Sequence, residues 1–193
     1  MSDNSSDNTS TNSNQPASVY LRGARDGIVM GLYMLVIFLV AAYQVFYPML
    51  SLVFIVLALG VPPIAYFMMR RDFYQLPQMR FFSAVWMHGI SIFLFGSLIL
   101  SAGIFVFLKW VEPYYFVNLV DMAIEAYNSL GNEQMTELAH QLERIKDSGL
   151  LPSAGQFAFN IIWSVVFSGC ILTMILTWVL RLRHKNLLQQ ANN

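Results

Sequence analysis

The chain has 193 residues, 56% of them hydrophobic and 11% charged, with mean hydropathy +0.53 and a formal net charge of zero. An ordinary soluble domain carries about 25% charged residues, so this composition belongs to the membrane class. A neutral chain offers nucleic acid no electrostatic footprint, and a single cysteine, Cys170, excludes an intrachain disulfide and a thiolate metal cluster.

Residues 1–18 hold little besides Ser, Asn, Thr and Asp. With no apolar content to offset the entropy of ordering, they are predicted to be a disordered polar tail. They lack the basic start and apolar middle of a secretory signal, so no cleavage for export is expected. Two glycosylation sequons, at Asn4 and Asn8, are matches of the kind a Ser/Asn tract produces by chance.

From Gly27 to Met69, 43 positions pass without an Asp, Glu, Lys, Arg or His. One helix of that length would reach roughly 64 Å, about twice the hydrocarbon thickness of a bilayer, so the segment folds back on itself. Pro48, between Tyr47 and Met49, marks the reversal. Span one is placed at 27–47 and span two at 49–69. Gly23, Gly27 and Gly31 form a small-xxx-small stripe that lets a neighbouring helix approach closely. Asp26, within that stretch, is expected to pair with Arg22 one turn back at the membrane surface; an interfacial ion or headgroup site is the sharper reading. Pro62-Pro63 removes helical hydrogen bonds, so span two is expected to kink or loosen near Gly60. Arg70, Arg71, Asp72 and Arg80 read as a short polar connection.

Span three is placed at 84–108. Gly89, Gly96 and Gly103 recur every seven residues, giving a stripe that is the natural partner of the one on span one. His88 is the only ionisable side chain assigned to a span interior, which makes it the candidate intramembrane polar site. The bland alternative is a neutral imidazole hydrogen-bonding across helices.

Residues 112–150 differ in kind. From Lys109 to Pro152 seven carboxylates face three basic residues, and the pattern is that of two amphipathic helices. Phe116, Leu119, Val120, Ala123 and Tyr127 share one face of the first. Met135, Leu138, Leu142 and Ile145 make a narrow seam on the second, with Asn132 as N-cap and Gly149 as stop. The two seams are expected to close on each other as a helical hairpin. Ser153 and Gln156 form a capping box that starts span four, placed at 157–180. Ser164 and Ser168, and separately Gly169, Thr173 and Thr177, are candidate helix-packing positions. Cys170 sits in apolar surroundings and reads as a small packing residue.

Basic residues set the orientation. Arg22, Arg25, Arg70, Arg71, Arg80, Arg181, Arg183 and Lys185 are eight of the eleven, all on one side of the four spans. Positive residues stay cytoplasmic, so both termini are expected inside and the acidic hairpin outside. The fold class is an all-α membrane protein, a single four-helix domain over 19–185 followed by a polar tail at 186–193.

Gly27 to Tyr33 (GIVMGLY), Leu59 to Tyr66 (LGVPPIAY) ahead of Arg70-Arg71, Phe81 to Gly89 (FFSAVWMHG), Phe107 to Tyr115 (FLKWVEPYY) and Leu151-Pro152 occur in order over most of 20–184. In that order the chain resembles the bacterial family of domain of unknown function 4199, small four-span proteins typical of Gram-negative envelopes. The resemblance implies the inner membrane as location and supplies no catalytic or binding residues.

Three function classes compete. Glycine stripes and the acidic helical pair exceed bare membrane insertion. They point to a non-enzymatic module mediating helix–helix or protein–protein association, with a second copy or another membrane protein as partner besides the lipid bilayer. The alternative is a small transporter or channel acting as an oligomer. Against it stands the lack of any carboxylate or basic side chain within the spans as placed. An enzyme is not expected: His88, His140 and His184 fall in three different compartments, and no H-E-x-x-H or P-loop occurs. No metal, cofactor or catalytic residue is assigned.

Overall fold

The structure is a computed structural model that describes residues 19–75 and 81–191, with side chains from 21–74 and 81–185. The polar tail 1–18 and the connection containing Arg80 lie outside the described residues. The described elements are α1 (Val19–Tyr43), α2 (Leu50–Gln75), α3 (Phe82–Val106) with a π-helical turn (Phe107–Val111), α4 (Tyr115–Ser129), α5 (Glu133–Asp147) and α6 (Ala154–Ala191). Four helices are long and apolar enough to cross a membrane: Leu21–Tyr43, Leu50–Tyr74, Phe82–Val111 and Ala154–Lys185. The protein is an all-α, multi-pass membrane protein. α6 runs on to Ala191, through most of the stretch expected as a polar tail.

α1 and α2 are joined by tight turns around Pro48, where Tyr47 N–H donates to the Tyr43 carbonyl and Ser51 N–H to that of Pro48. Asp26 lies beside Arg71, and the Tyr33 hydroxyl donates to the Leu57 carbonyl, so the two helices run antiparallel. α2 continues unbroken through Pro62-Pro63. Those prolines leave the Ala58 and Leu59 carbonyls without their helical donors. Tyr33 bonds to the carbonyl just before them, that of Leu57.

α3 is the central helix, apolar all round as a buried helix is. On one flank it packs parallel to α1. A Cβ at Gly23 would stand 2.7 Å from the Ser91 Cβ, one at Gly27 2.6 Å from the Phe95 Cβ, and one at Gly31 2.8 Å from the Ile99 Cβ. The register keeps the same offset at every step, and it extends to Leu35 against Gly103. Backbone meets backbone here: a Gly96 Cβ would sit 3.3 Å from the Gly27 carbonyl oxygen. The heptad stripe on α3 does not all face α1. Gly89 turns to α6, where its Cβ would meet Thr173 Cγ2 at 2.6 Å. α6 packs antiparallel on that flank, with Ser101 Oγ donating to the Ala158 carbonyl at 2.9 Å and Trp86 Nε1 to that of Cys170 at 3.4 Å.

Core side chains gather at two levels, Met30, Ala65, Met69, Ile92, Phe93 and Leu180 at one end, and Ala42, Leu100, Ile104 and Phe107 at the other. α2 gives Ala65, Met69 and Phe73 to the first level and no buried side chain to the second. Its Leu52, Val56 and Leu59 are 69–73% exposed.

α4 and α5 pack against each other, with Lys146 paired to Asp121. The capping devices are in place: Asn132 Oδ1 accepts from Gln134 N–H, and Ser153 and Gln156 bond reciprocally. The α5 seam is rotated from the expected one. Ala139 is buried, with Met135, Leu142 and Lys146 part-buried beside it, while Leu138 and Ile145 are exposed. Alanine at the contact permits closer approach than leucine, and that selects the face.

Candidate functional site: a buried aspartate–histidine centre

The core face of α2 is Ala65, Met69 and Phe73, and Asp72 falls on that face one turn beyond Met69. The helix does not end at Met69 as expected but continues to Gln75, so Asp72 enters the bundle instead of the loop. On α1, Asp26 lies between Gly23 and Met30, on the side pressed against α3. On α3, His88 precedes Gly89 at the same height. All three are buried: Asp26 is 4%, Asp72 0% and His88 1% exposed.

His88 Nε2 stands 3.2 Å from Asp72 Oδ2 and 4.0 Å from Asp26 Oδ2. Arg71 closes the group from the exposed side. Its Nη2 donates to both Asp26 oxygens at 2.9 Å, and its Nε donates to Asp72 Oδ1 at 3.3 Å. Arg22 Nη1 is 3.8 Å from Asp72 Oδ1. Two carboxylates face two guanidiniums, so the formal charges cancel when His88 is neutral. A proton on His88 would leave one positive charge in excess.

This corrects two expectations. Asp26 pairs with Arg71 rather than Arg22, because α2 brings Arg71 across while Arg22 is drawn to Asp72. His88 is not alone among ionisable groups in the spans, since Asp26 and Asp72 lie within Leu21–Tyr43 and Leu50–Tyr74. Asp72 is the residue that sequence reasoning missed. The signal was the spacing Ala65, Met69, Asp72, which continues the helical apolar face past the first charged pair.

One donor atom from each of Asp26, Asp72 and His88 lies within 4.8 Å of the others, the spacing of a three-ligand metal site. Charge argues for another occupant. Arg71 already sits on both oxygens of Asp26, and a divalent cation would have to displace that guanidinium from the carboxylate or share it. The cation held here is arginine.

The candidate packing residues divide. Gly23, Gly27, Gly31, Gly96 and Gly103 lie in the α1–α3 contact, and Gly89 lies between α3 and α6. Ser164 and Ser168 lie on the exposed face of α6, where Ser168 Oγ bonds back to the Val165 carbonyl. Gly169, Thr173 and Thr177 are the buried face of that helix. The three histidines stay apart: His140 contacts Glu143, and His184 stacks edge-on to Phe73.

No curated protein and no solved structure matches the chain. A family model described as Protein of unknown function (DUF4199) matches residues 25–181. That range runs from just before Asp26 to the first basic residue of the α6 end and takes in most of the four apolar helices and Asp26, Arg71, Asp72 and His88, and the chain belongs to that family.

Proposed function

We propose that this protein is a non-enzymatic module of the bacterial inner membrane that works by association within the bilayer, with the Asp26–Asp72–His88 centre as its switch. One observation carries the reading: Asp72, fully buried against His88, is on α2, a span that buries as little of its length as α6 and far less than α1 or α3. Docking of α2 therefore depends on the charge state of this centre. Imidazole is the side chain whose ordinary titration spans physiological pH. A protonated His88 would compete for Asp72 with Arg22, the more distant of the two guanidiniums at 3.8 Å. Charge at the centre would then alter how α2 is held, and with it the apolar surface offered to a second copy or another membrane protein.

Sidedness is part of the proposal. The start of α1, the end of α2 and the end of α6 meet at one end, through Arg71 with Asp26 and Arg183 with the Tyr66 hydroxyl. The basic residues thus cluster there, which supports cytoplasmic termini and an external α4–α5 hairpin.

The test is a pair of spin labels at Phe67 and Leu94, exposed positions on α2 and α3, in a Cys170→Ser background reconstituted in lipid. Between about pH 5 and about pH 8 the label separation should shift, and energy transfer between fluorescently labelled copies should shift with it. His88→Gln should abolish both responses. Unchanged separation across that range, or an equal response in His88→Gln, overturns the reading. A second reading, a small oligomeric transporter, draws on an apolar crevice of about 430 Å³ lined by Met34, Phe38, Phe54, Pro62 and Ile161. Proton- or substrate-driven uptake lost in Asp72→Asn would favour it.

A further inference from the structure

The last turns of α6 hold a feature that the buried centre does not use. Ile171, Met174, Ile175 and Trp178 form one exposed stripe at helical spacing, and all four are more than half exposed. The same stripe continues one turn further as Arg181, Leu182 and Lys185, so its chemistry changes from apolar to basic along a single line. At the change lies an open groove of about 650 Å³, walled by Phe73 of α2 and Phe82 of α3 and floored by Trp178, Arg181 and Lys185. Arg181 lies over the Phe82 ring at 6.0 Å, which holds it at the rim, and His184 stacks on Phe73 at 5.5 Å.

These charges are not spent inside the protein. α6 contains no Asp or Glu, and among the described residues neither Arg181 nor Lys185 forms an ion pair with a carboxylate. Arg183, on another face, is engaged with Tyr66. Two cations above an exposed apolar track, with a tryptophan at the boundary, match an amphiphile that carries a negative head and a hydrocarbon tail.

We propose that this groove binds an anionic phospholipid, with its phosphate diester between Arg181 and Lys185 and an acyl chain along Trp178, Ile175 and Ile171. Planar bidentate donation suits Arg181 to the phosphate oxygens, and Lys185 supplies a second point charge. The site is separate from the Asp26–Asp72–His88 centre, and the proposal stands whether or not that centre is a switch.

The experiment is thermal unfolding of the full chain in a mild non-ionic detergent, with phosphatidylglycerol, phosphatidylcholine or inorganic phosphate added. Phosphatidylglycerol is expected to raise the melting temperature by several degrees, with little change from the other two. The double variant Arg181→Gln/Lys185→Gln should lose most of that rise, and Lys185→Gln alone should lose part of it. Both residues are exposed, so melting without lipid should stay near that of the parent chain. Lys109→Gln, at the opposite end of the bundle, should retain the full rise. An equal rise with phosphatidylcholine means general lipid solvation and overturns the proposal. So does a rise with inorganic phosphate alone, an undiminished rise in the double variant, or an equal loss in Lys109→Gln. Native mass spectrometry provides a second readout: retained phosphatidylglycerol should fall severalfold in the double variant, and unchanged retention overturns the proposal.

Discussion

α1 and α2 are neighbouring spans of nearly equal length and comparable apolarity, yet they are held in opposite ways. α1 is fixed along its length, because glycines bring its backbone onto that of α3. α2 leaves most of its apolar surface outward and is held at separate points, by the turn at Pro48, the Tyr33–Leu57 hydrogen bond, the narrow core face of Ala65, Met69 and Phe73, and Arg71 with Asp72. In lipid, apolar area alone does not drive helices together, since the tails are as apolar as leucine. Close backbone approach and satisfied polar groups do that work, and this bundle uses one device for each helix.

Substitutions can break that contrast, and the largest effect is expected at the glycine seam. Gly27→Leu would drive a side chain into the Phe95 Cβ at 2.6 Å and the Ile92 carbonyl oxygen at 2.9 Å. Neither is the loose end of a flexible side chain. A loss of about 3 kcal/mol, the upper end for overpacking, is expected in a steric-trapping unfolding assay. Arg71→Ala comes next, at about 2 kcal/mol by the same assay, because Asp26 stays buried without the two hydrogen bonds from Nη2; the half-exposed position of Arg71 moderates the loss. Asp72→Asn keeps the shape and removes one charge, for about 1–2 kcal/mol, and it should loosen α2 without disturbing the α1–α3 contact. Disulfide trapping between cysteines at Leu35 and Gly103, compared with a pair at Tyr33 and Gly60, would separate the two helices. Smallest of all, Leu59→Ala on the exposed face of α2 should change stability by no more than about 0.5 kcal/mol. If Leu59→Ala costs as much as Asp72→Asn, the contrast between the helices is wrong.

Much of this architecture is legible in the residue order. The long uncharged run with Pro48 near its middle dictates a reversal, and the spacing of Gly23, Gly27 and Gly31 anticipates a close partner. Pairing of that stripe with Gly96 was open to sequence reasoning, because both are four- or seven-residue patterns within one helix. The direction of Gly89 was not, since a heptad repeat says nothing about where a second neighbour begins. The centre was half visible. His88 stands out as an ionisable residue in an apolar run, and Asp26 is plain in sequence. Asp72 was hidden because three consecutive charged residues, Arg70 to Asp72, mimic a loop, and only the rotation of a continued helix distinguishes the one that turns inward. Partner choice between Arg22 and Arg71 was equally out of reach. Local spacing favours the nearer arginine, whereas the fold delivers one from the next span.

The parallel seam between α1 and α3 bears on how the protein enters the membrane. During synthesis the first and second crossings are complete before the helix that fills the α1 stripe has emerged. A nascent chain stopped after Gln75 would present Gly23, Gly27 and Gly31 to lipid, with a charged clasp, the Tyr33–Leu57 hydrogen bond and one turn to keep its two helices together. Maturation of the bundle thus waits on the third crossing, and the first is left for a time with its closest-fitting surface uncovered, open to whatever helix arrives.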